Sequence, residues 1–212
     1  MLITIDKLNS AFNLNIKGIL HIGAHECEEL SAYNKVGVPT QNIYWVEAME
    51  DKVKQNKERF GTILNIYQGV IYDENDVNVP FHITNNGQSS SILEFGSHEK
   101  NHPQVKVTHT IQLQTTRLDT LIEKNNIPIH TLNFVNLDIQ GVELRALKSM
   151  DKYLQHIDYI YTEVNTEHVY KNCDQMIDID NYLHNFGFQR AATNIITHCG
   201  WGDAFYIKTK QT

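Results

Sequence analysis

The sequence predicts an α/β fold built around a mostly parallel sheet. Short hydrophobic runs alternate with helical patterns from residue 19 onward, which is typical of βαβ units. Two of these units carry a glycine at the turn between strand and helix, Gly23 in the first and Gly141 in a later one. Seven core strands fit the pattern, so we expect one sheet flanked by helices.

The order of the elements follows from the hydrophobic runs and from the residues that stop them. Gly37 and Pro39 end the first crossover helix, and Gly61 and Gly187 close two later helices. The predicted core strands cover residues 18–22, 43–47, 63–68, 132–137, 157–164, 188–192 and 203–208. The predicted helices cover residues 6–14, 27–36, 51–60, 117–124, 142–150 and 178–186.

An insertion interrupts this alternation between residues 77 and 113. Residues 77–84 and 105–113 alternate apolar and polar side chains with a period of two, which predicts an antiparallel pair that decorates the main sheet. The polar stretches 85–91 and 96–103 between them are typical of loops. We expect a single domain over residues 1–212, with its core at 18–208 and a hairpin and loop insertion at 77–113.

Length, composition and charge restrict the class of protein. A chain of 212 residues, 41% hydrophobic and 20% charged, is large enough to bury a core without disulfides or structural metal ions. Three cysteines without CxxC spacing indicate free thiols. A formal charge of −7 without a basic cluster argues against nucleic acid and favours an uncharged or small substrate. Without a long apolar run or a signal pattern, we expect a cytosolic protein with no membrane contact.

The turn after the first strand is the first candidate ligand site. Gly23 has no side chain and Ala24 adds only a methyl group, so this backbone can approach a ligand, although a close-packed turn without a ligand would have the same sequence. The turn lacks the GxGxxG and GxxxxGKS/T spacings that bind phosphates. Glu47 follows about 20 positions later at a strand tip, where a carboxylate can accept hydrogen bonds from both ribose hydroxyls. Together they favour an adenosine-containing cofactor without phosphates, such as S-adenosylmethionine.

Seven blocks of sequence carry a resemblance to a known family. The most specific block is residues 133–148, and the others are residues 19–25, 44–49, 89–93, 116–120, 161–165 and 200–206. Over about residues 18–208 they resemble the FkbM family of methyltransferases. The resemblance implies a class I, Rossmann-like fold with a seven-stranded sheet, S-adenosylmethionine as cofactor and S-adenosylhomocysteine as product.

Four residues depart from the family pattern. His21, Cys27, Asn136 and Gln140 stand where members more often have aspartate, glycine, lysine and glutamate. Asparagine and glutamine keep polar contacts but remove two charges. The cofactor pocket can therefore persist while the charge preference for the substrate differs.

The resemblance and the strand-end positions together give the candidate site residues. Asp138, at the tip of a buried strand, is the candidate general base or the group that orients the methionine half of the cofactor, and capping of the next helix is the alternative. We expect Glu143 to complement the dipole of that helix. The residues expected to bind the cofactor are His21, Gly23, Ala24, His25, Glu26, Glu47, Ala48, Gln68, Gly69, Ser90, Asp138 and Gln140.

The expected function is O-methylation of a hydroxyl on a sugar, a glycan precursor or a small metabolite. Tyr159, Tyr161, Tyr170 and Trp201 are candidates for the acceptor pocket, although aromatic residues in strands are more often core. N-methylation of an amino sugar would use the same residues. The sequence also leaves open a non-catalytic nucleoside-binding module in a glycan-modifying assembly. A nucleoside-dependent oxidoreductase is a third alternative, but the chain lacks the phosphate-binding glycines that such an enzyme needs. It is compatible with a homo-oligomer.

Metal ligation is a weaker alternative. Asp138, Glu163 and Asn165 follow neighbouring strands and offer oxygen ligands suited to magnesium or calcium. His98 and His102 have i, i+4 spacing, but their loop-like context argues against zinc. We therefore expect no metal site.

Overall fold

Strands and helices alternate along most of the chain in the computed structural model, which describes residues 1–209. The strands are β1 (Ile19–Ile22), β2 (Ile43–Glu47), β3 (Asn65–Gln68), β4 (Val70–Ile71), β5 (Asn78–Thr84), β6 (Val107–Thr116), β7 (Phe134–Leu137), β8 (Tyr159–Asn165), β9 (Phe188–Ile196) and β10 (Trp201–Lys208). The helices are α1 (Ile5–Phe12), α2 (Leu30–Lys35), α3 (Glu50–Phe60), α4 (His98–Asn101), α5 (Leu118–Lys124), α6 (Glu143–Lys148) and α7 (Met176–His184). Within this part of the chain, no helix has the length and apolar character needed to cross a membrane.

Strand β1 lies near the centre of a seven-stranded sheet formed within the described residues. The strand order is β3-β2-β1-β7-β8-β10-β9. The first five strands in this order are parallel to one another, whereas β10 runs antiparallel to β8 and β9. Every residue of β1 and β7 is buried, which explains their nearly continuous hydrophobic sequences. The chain moves outward from β1 to β3 and returns on the other side of β1 with β7, so the strand order reverses beside β1.

Helices cover both faces of this sheet. Successive residues of a strand point to opposite faces, and in β1 they belong to two separate hydrophobic clusters. The cluster that contains Leu20 includes residues of α5, α6 and α7, and the cluster that contains Ile19 includes residues of α1, α2 and α3. This arrangement gives three layers, with the sheet in the middle.

The insertion forms a sheet of its own, in the order β4-β6-β5. Strands β5 and β6 are antiparallel, as the period of two predicts, and β4 pairs parallel with the end of β6. Gly69 separates β3 from β4, so the chain passes from one sheet to the other within a single residue. The antiparallel pair therefore stands beside the carboxyl edge of the main sheet rather than extending it.

The helix after the glycine turn begins at Leu30, whereas the sequence predicts its start at residue 27. His25 and Cys27 have φ angles of 42° and 54°, in the left-handed region that a right-handed helix does not contain. Turn hydrogen bonds replace the first helical turn, since the Cys27 N–H donates to the Ala24 carbonyl at 2.7 Å. The segment before Leu30 is therefore a structured loop at the edge of the sheet.

Candidate active site

A cleft opens at the carboxyl ends of the parallel strands, beside the point where strand order reverses. Its volume is about 470 Å³, which falls within the usual range for small-molecule sites. The loops after β1, β2, β3 and β7 line one side, and the insertion lines another. The predicted cofactor residues that line the cleft are His21, Gly23, His25, Glu47, Ala48, Gly69, Ser90, Asp138 and Gln140.

Gly23 allows the loop after β1 to touch the loop after β7. Its φ angle is 91°, and a Cβ atom at this position would lie 1.8 Å from the carbonyl oxygen of Asp138. The N–H groups of Gly23 and Ala24 donate to the Val46 carbonyl at 2.9 and 3.0 Å, which ties the loop to β2. The glycine is therefore required by packing and by backbone conformation. Ala24 is buried in the core and does not line the cleft.

Glu47, at the end of β2, binds the glycine loop with its carboxylate. Its Oε2 accepts from the His25 N–H at 2.7 Å and its Oε1 accepts from the Met49 N–H at 2.9 Å. Burial raises the pKa of Glu47, while these two N–H groups favour the charged form. Because each carboxylate oxygen can accept more than one hydrogen bond, Glu47 can also accept from a vicinal diol in the cleft.

His25 presents an unpaired nitrogen beside this carboxylate. Its Nδ1 bonds to Glu28 Oε1 at 2.7 Å and its carbonyl accepts from Asn56 Nδ2 at 2.7 Å. Its Nε2 is buried and has no hydrogen-bond partner within residues 1–209. A Cβ atom at Gly87 would lie 2.9 Å from this Nε2, so the insertion packs directly against the histidine. A ligand that reaches this nitrogen would satisfy it.

Two other predicted cofactor residues lie outside the lining of the cleft. Glu26 is exposed and forms an ion pair with Lys52 at 2.7 Å. Gln68 donates from Nε2 to the Ala48 carbonyl at 3.2 Å. In these positions both side chains hold loops of the cleft, and direct contact with a cofactor stays a prediction.

Gln140 joins two carboxyl groups beside the cleft. Its Nε2 donates to Asp138 Oδ1 and to Glu163 Oε2, both at 2.7 Å, and its Oε1 accepts from the Tyr170 hydroxyl at 2.5 Å. Burial raises the pKa of Glu163 well above its usual range, and the charge of Asp138 raises it further, which favours the protonated form of Glu163. Asp138 is exposed and makes no capping hydrogen bond to α6, so the structure does not support the alternative role of a helix cap.

Glu143 fixes the turn that carries Asp138 and Gln140. It is fully buried, and its Oε1 accepts from the N–H groups of Ile139 at 3.0 Å and Gly141 at 3.1 Å. Burial raises the pKa of this carboxyl group. Besides lying in the first turn of α6, as predicted, Glu143 therefore positions the loop after β7.

His21 belongs to an uncharged buried cluster rather than to an ion pair. Its ring stacks on Trp45 with 4.6 Å between centroids, and Asn136 is its neighbour on β7. Asn136 Nδ2 donates to the Tyr33 oxygen at 2.7 Å, and the Tyr33 hydroxyl can then donate to His21 Nδ1 at 3.0 Å. Burial lowers the pKa of His21 to about 4, so its ring is neutral at physiological pH. Two departures from the family pattern, at residues 21 and 136, thus form one hydrogen-bonded group.

The insertion supplies cleft residues that the sequence does not assign to the cofactor or acceptor site. Among them are Phe81, Ile92, His98, His102 and Val105. Ser90, which was predicted, lies among them and accepts from the Thr84 N–H at 3.1 Å. The signal that could have found Phe81 is the period of two in residues 77–84, because alternate side chains of such a strand face a covered surface.

The two alternative metal sites do not assemble in the described residues. No group of three or more His, Cys, Asp or Glu side chains among residues 1–209 is arranged to hold a metal ion. Asn165 is buried and does not join Asp138 and Glu163 in the lining of the cleft. His98 and His102 lie with their ring centroids 4.9 Å apart, tilted against each other.

Comparisons with known proteins show the family to which the chain belongs. The family model described as "Methyltransferase FkbM domain" matches residues 21–190. A Haloferax volcanii protein named hexuronic acid methyltransferase AglP is 25% identical over 116 residues, which cover 54% of this chain. The matched part spans only 42% of that relative.

Two solved structures have a similar fold. The ribosomal protein L11 methylase from Lactobacillus delbrueckii subsp. bulgaricus has a TM-score of 0.52 at 9% identity, covering 98% of this chain and 77% of its own. M. capricolum TrmK, solved with S-adenosylhomocysteine, has a TM-score of 0.50 at 12% identity, and the match covers 99% of this chain and 70% of TrmK. These similarities confirm the predicted Rossmann-like α/β fold. Since the family model covers most of its length, the chain belongs to the FkbM methyltransferase family, as its sequence predicts.

Proposed function

We propose that this methyltransferase transfers a methyl group from S-adenosylmethionine to a hydroxyl of a sugar, a glycan precursor or a similar small molecule. One observation carries the proposal: Glu47 and Asp138 line the same cleft on either side of the glycine loop. The first is suited to a ribose diol and the second to a hydroxyl acceptor. The cytosol is the compartment that we propose for this reaction.

The donor set of the cleft fits an adenosine-containing cofactor. Glu47 keeps lone pairs that can accept from ribose hydroxyls, and Gly23 lets the loop after β1 pack against the loop that carries Asp138. Gly69 follows β3, where its missing side chain avoids Leu121, since a Cβ atom there would lie 2.5 Å from Leu121 Cδ1. His25 Nε2 supplies a further nitrogen without a partner within residues 1–209. These groups recognise sugar hydroxyls and an amino-acid carboxylate without requiring phosphates.

Asp138 is suited to orient and deprotonate the acceptor hydroxyl. S-adenosylmethionine supplies an electrophilic methyl carbon on a sulfonium, so the protein mainly aligns the acceptor for an in-line displacement. Gln140 donates to Asp138 Oδ1 at 2.7 Å, and the protonated Glu163 carboxyl group also hydrogen-bonds to Asp138. The exposed Asp138 carboxylate, held by these two neighbours, can accept a proton from the acceptor as the new bond forms. Glu143 keeps the turn in place through its bonds to Ile139 and Gly141.

A sugar is the acceptor class that we favour. The Haloferax volcanii relative is named a hexuronic acid methyltransferase, although the match covers only 42% of that protein. Tyr170 and Trp201 line the cleft beyond Asp138, and aromatic side chains of this kind pack well against sugar rings. Tyr159 and Tyr161, the other predicted acceptor residues, do not line it. Both instead pack against the cluster of α1, α2 and α3.

Calorimetry with S-adenosylmethionine and S-adenosylhomocysteine tests this function. We expect both to bind the wild type, Glu47→Ala to weaken binding at least tenfold, and Asp138→Asn to leave affinity within about threefold. Glu58→Ala, which changes an exposed glutamate on α3, is the matched control. The proposal would be refuted if neither S-adenosylmethionine nor S-adenosylhomocysteine bound the wild type.

Turnover separates the enzyme from a binding module. With radiolabelled S-adenosylmethionine and a panel of glycosides, Asp138→Asn should lose at least a hundredfold in kcat, a loss typical of a missing general base. Asp178→Asn, an exposed position in α7, is the control for this change. Cofactor binding without methylation of any glycoside by the wild type would instead favour the nucleoside-binding module.

A further inference from the structure

The half of the cleft beyond β7 has an unusual charge pattern. Strands β7, β8 and β10 place Asp138, Glu163 and Asp203 along its lining, and Trp201 and Tyr170 are beside them. This half lies away from Glu47, on the other side of β1 in the strand order, so it is where an acceptor has to sit. No lysine or arginine among residues 1–209 lines the cleft, and the Met1 amino group in its lining already lies 3.8 Å from Glu29 Oε1. An anionic acceptor would therefore find here only an ammonium group that already faces a carboxylate.

Several side-chain donors in and behind this half are already engaged with protein acceptors. Gln140 Nε2 donates to two carboxyl groups, and the Tyr170 hydroxyl donates to Gln140 Oε1. The Tyr161 hydroxyl donates to Asp203. A substrate carboxylate would have to displace one of these bonds while losing its own hydration, which is costly for a buried charge.

His98 is one of the polar side chains of the lining that make no hydrogen bond within residues 1–209. It is 6% exposed, lines the cleft, and stacks on Phe95 with 4.3 Å between ring centroids. Neither of its ring nitrogens makes a hydrogen bond within the described part of the chain, and Nδ1 is fully buried. Burial, with a smaller contribution from His102, lowers the pKa of His98 to about 4. His98 is therefore a neutral hydrogen-bonding group and cannot pair with an anion at physiological pH.

We infer that the acceptor is a sugar without a carboxylate, either neutral or carrying an amino group, and that His98 hydrogen-bonds to one of its hydroxyls. The inference rests on the proposed function, which it makes more specific. A uronate carboxylate would be desolvated close to Asp138, and the Met1 ammonium, which already faces Glu29, would offset little of the repulsion, so the cleft selects against it. An amino sugar would gain from the same negative charge. By this reasoning the chain differs in acceptor from its Haloferax volcanii relative, which is named for hexuronic acid.

The test uses three simple glycosides and the complex of the enzyme with S-adenosylhomocysteine. Methyl β-D-glucopyranoside, its 2-amino-2-deoxy analogue and methyl β-D-glucuronide are titrated separately, and Kd values are read from NMR shift changes. We expect the glucuronide to bind at least tenfold more weakly than the glucoside, and the amino sugar at least as tightly as the glucoside. Glucuronide binding equal to or tighter than that of the glucoside would overturn the inference, and so would the absence of binding by all three.

Variants assign the effect to the cleft. His98→Phe should weaken glucoside binding at least fivefold with an unchanged affinity for S-adenosylhomocysteine, whereas His184→Phe, at an exposed position of α7, should change neither. Gln104→Lys adds a cation at an exposed position of the cleft lining and should tighten glucuronide binding at least threefold. An unchanged glucoside affinity in His98→Phe would refute the role of His98. Failure of the wild type to bind S-adenosylhomocysteine would instead refute the proposed function itself.

Discussion

His21 should make the stability of this protein sensitive to acid. The ring is 2% exposed and stacked on Trp45, and burial lowers its pKa from 6.5 to about 4. In the unfolded chain the ring regains its ordinary pKa, so below pH 6.5 the unfolded state binds a proton that the folded state does not. The contribution of neutral His21 is therefore complete above pH 6.5 and is lost as the pH falls toward 4.

The magnitude follows from the two pKa values. With a folded pKa of about 4 and an unfolded pKa of 6.5, linkage gives a loss of about 2 kcal/mol in the free energy of unfolding between about pH 7.5 and 5. Other groups titrate over the same range: His98 acts with the same sign, whereas Glu47 and Glu163, whose pKa values are raised, act with the opposite sign. His21→Gln removes only the first contribution. The difference between wild type and variant therefore isolates it.

Urea denaturation of wild type and His21→Gln at about pH 7.5 and 5 measures this difference. We expect the wild type to lose about 2 kcal/mol more than the variant, and His184→Gln, at an exposed position, to behave as the wild type. An NMR titration of the wild-type imidazole should show a midpoint near 4, even if His21→Gln folds poorly. Equal losses in wild type and variant, or a ring that titrates near 6.5, would refute the reasoning.

Three further results should follow from the loops of the cleft. Gly23→Ala would bring a Cβ atom to 1.8 Å from the Asp138 carbonyl oxygen, so calorimetry should show at least a tenfold loss of affinity for S-adenosylhomocysteine, and an unchanged Kd would contradict this packing. Glu143→Ala leaves buried N–H groups such as that of Gly141 without an acceptor and should cost about 2–4 kcal/mol in urea denaturation, with Glu143→Gln, which keeps one oxygen, costing less than half as much. Burial raises the pKa of the Cys27 thiol to about 12, so mass spectrometry should find Cys27 unmodified by a thiol reagent at about pH 8 in the native protein and modified after denaturation.

The main sheet could be predicted from the sequence because burial on both faces leaves a local signal. The strand predicted at residues 43–47 coincides with β2, and the one predicted at 132–137 contains β7. The ligand edge could also be inferred, since Gly23, Glu47 and Asp138 each follow a recognisable strand and line one cleft. These features depend on residues close together in the chain.

Other features depend on contacts between distant residues and leave no local pattern. The left-handed backbone at His25 is held by Glu47, 22 positions away, and by Asn56, 31 positions away. His98 lies in a segment without hydrophobic periodicity, and its place in the cleft results from the packing of Phe95 and Tyr170 around it. A sequence pattern can show that such a residue is polar and near a turn, but it does not show which cavity the fold brings it to.

We expect the glycine loop also to affect the kinetics of cofactor binding. Its backbone is already fixed by bonds from Gly23 and Ala24 to Val46 and by the clamp of Glu47 on His25. A cofactor that meets a preformed loop orders few additional residues, so little conformational entropy is lost on association. We therefore expect Glu47→Ala to change the dissociation rate of S-adenosylhomocysteine much more than its association rate, as is usual when a site is formed before its ligand arrives.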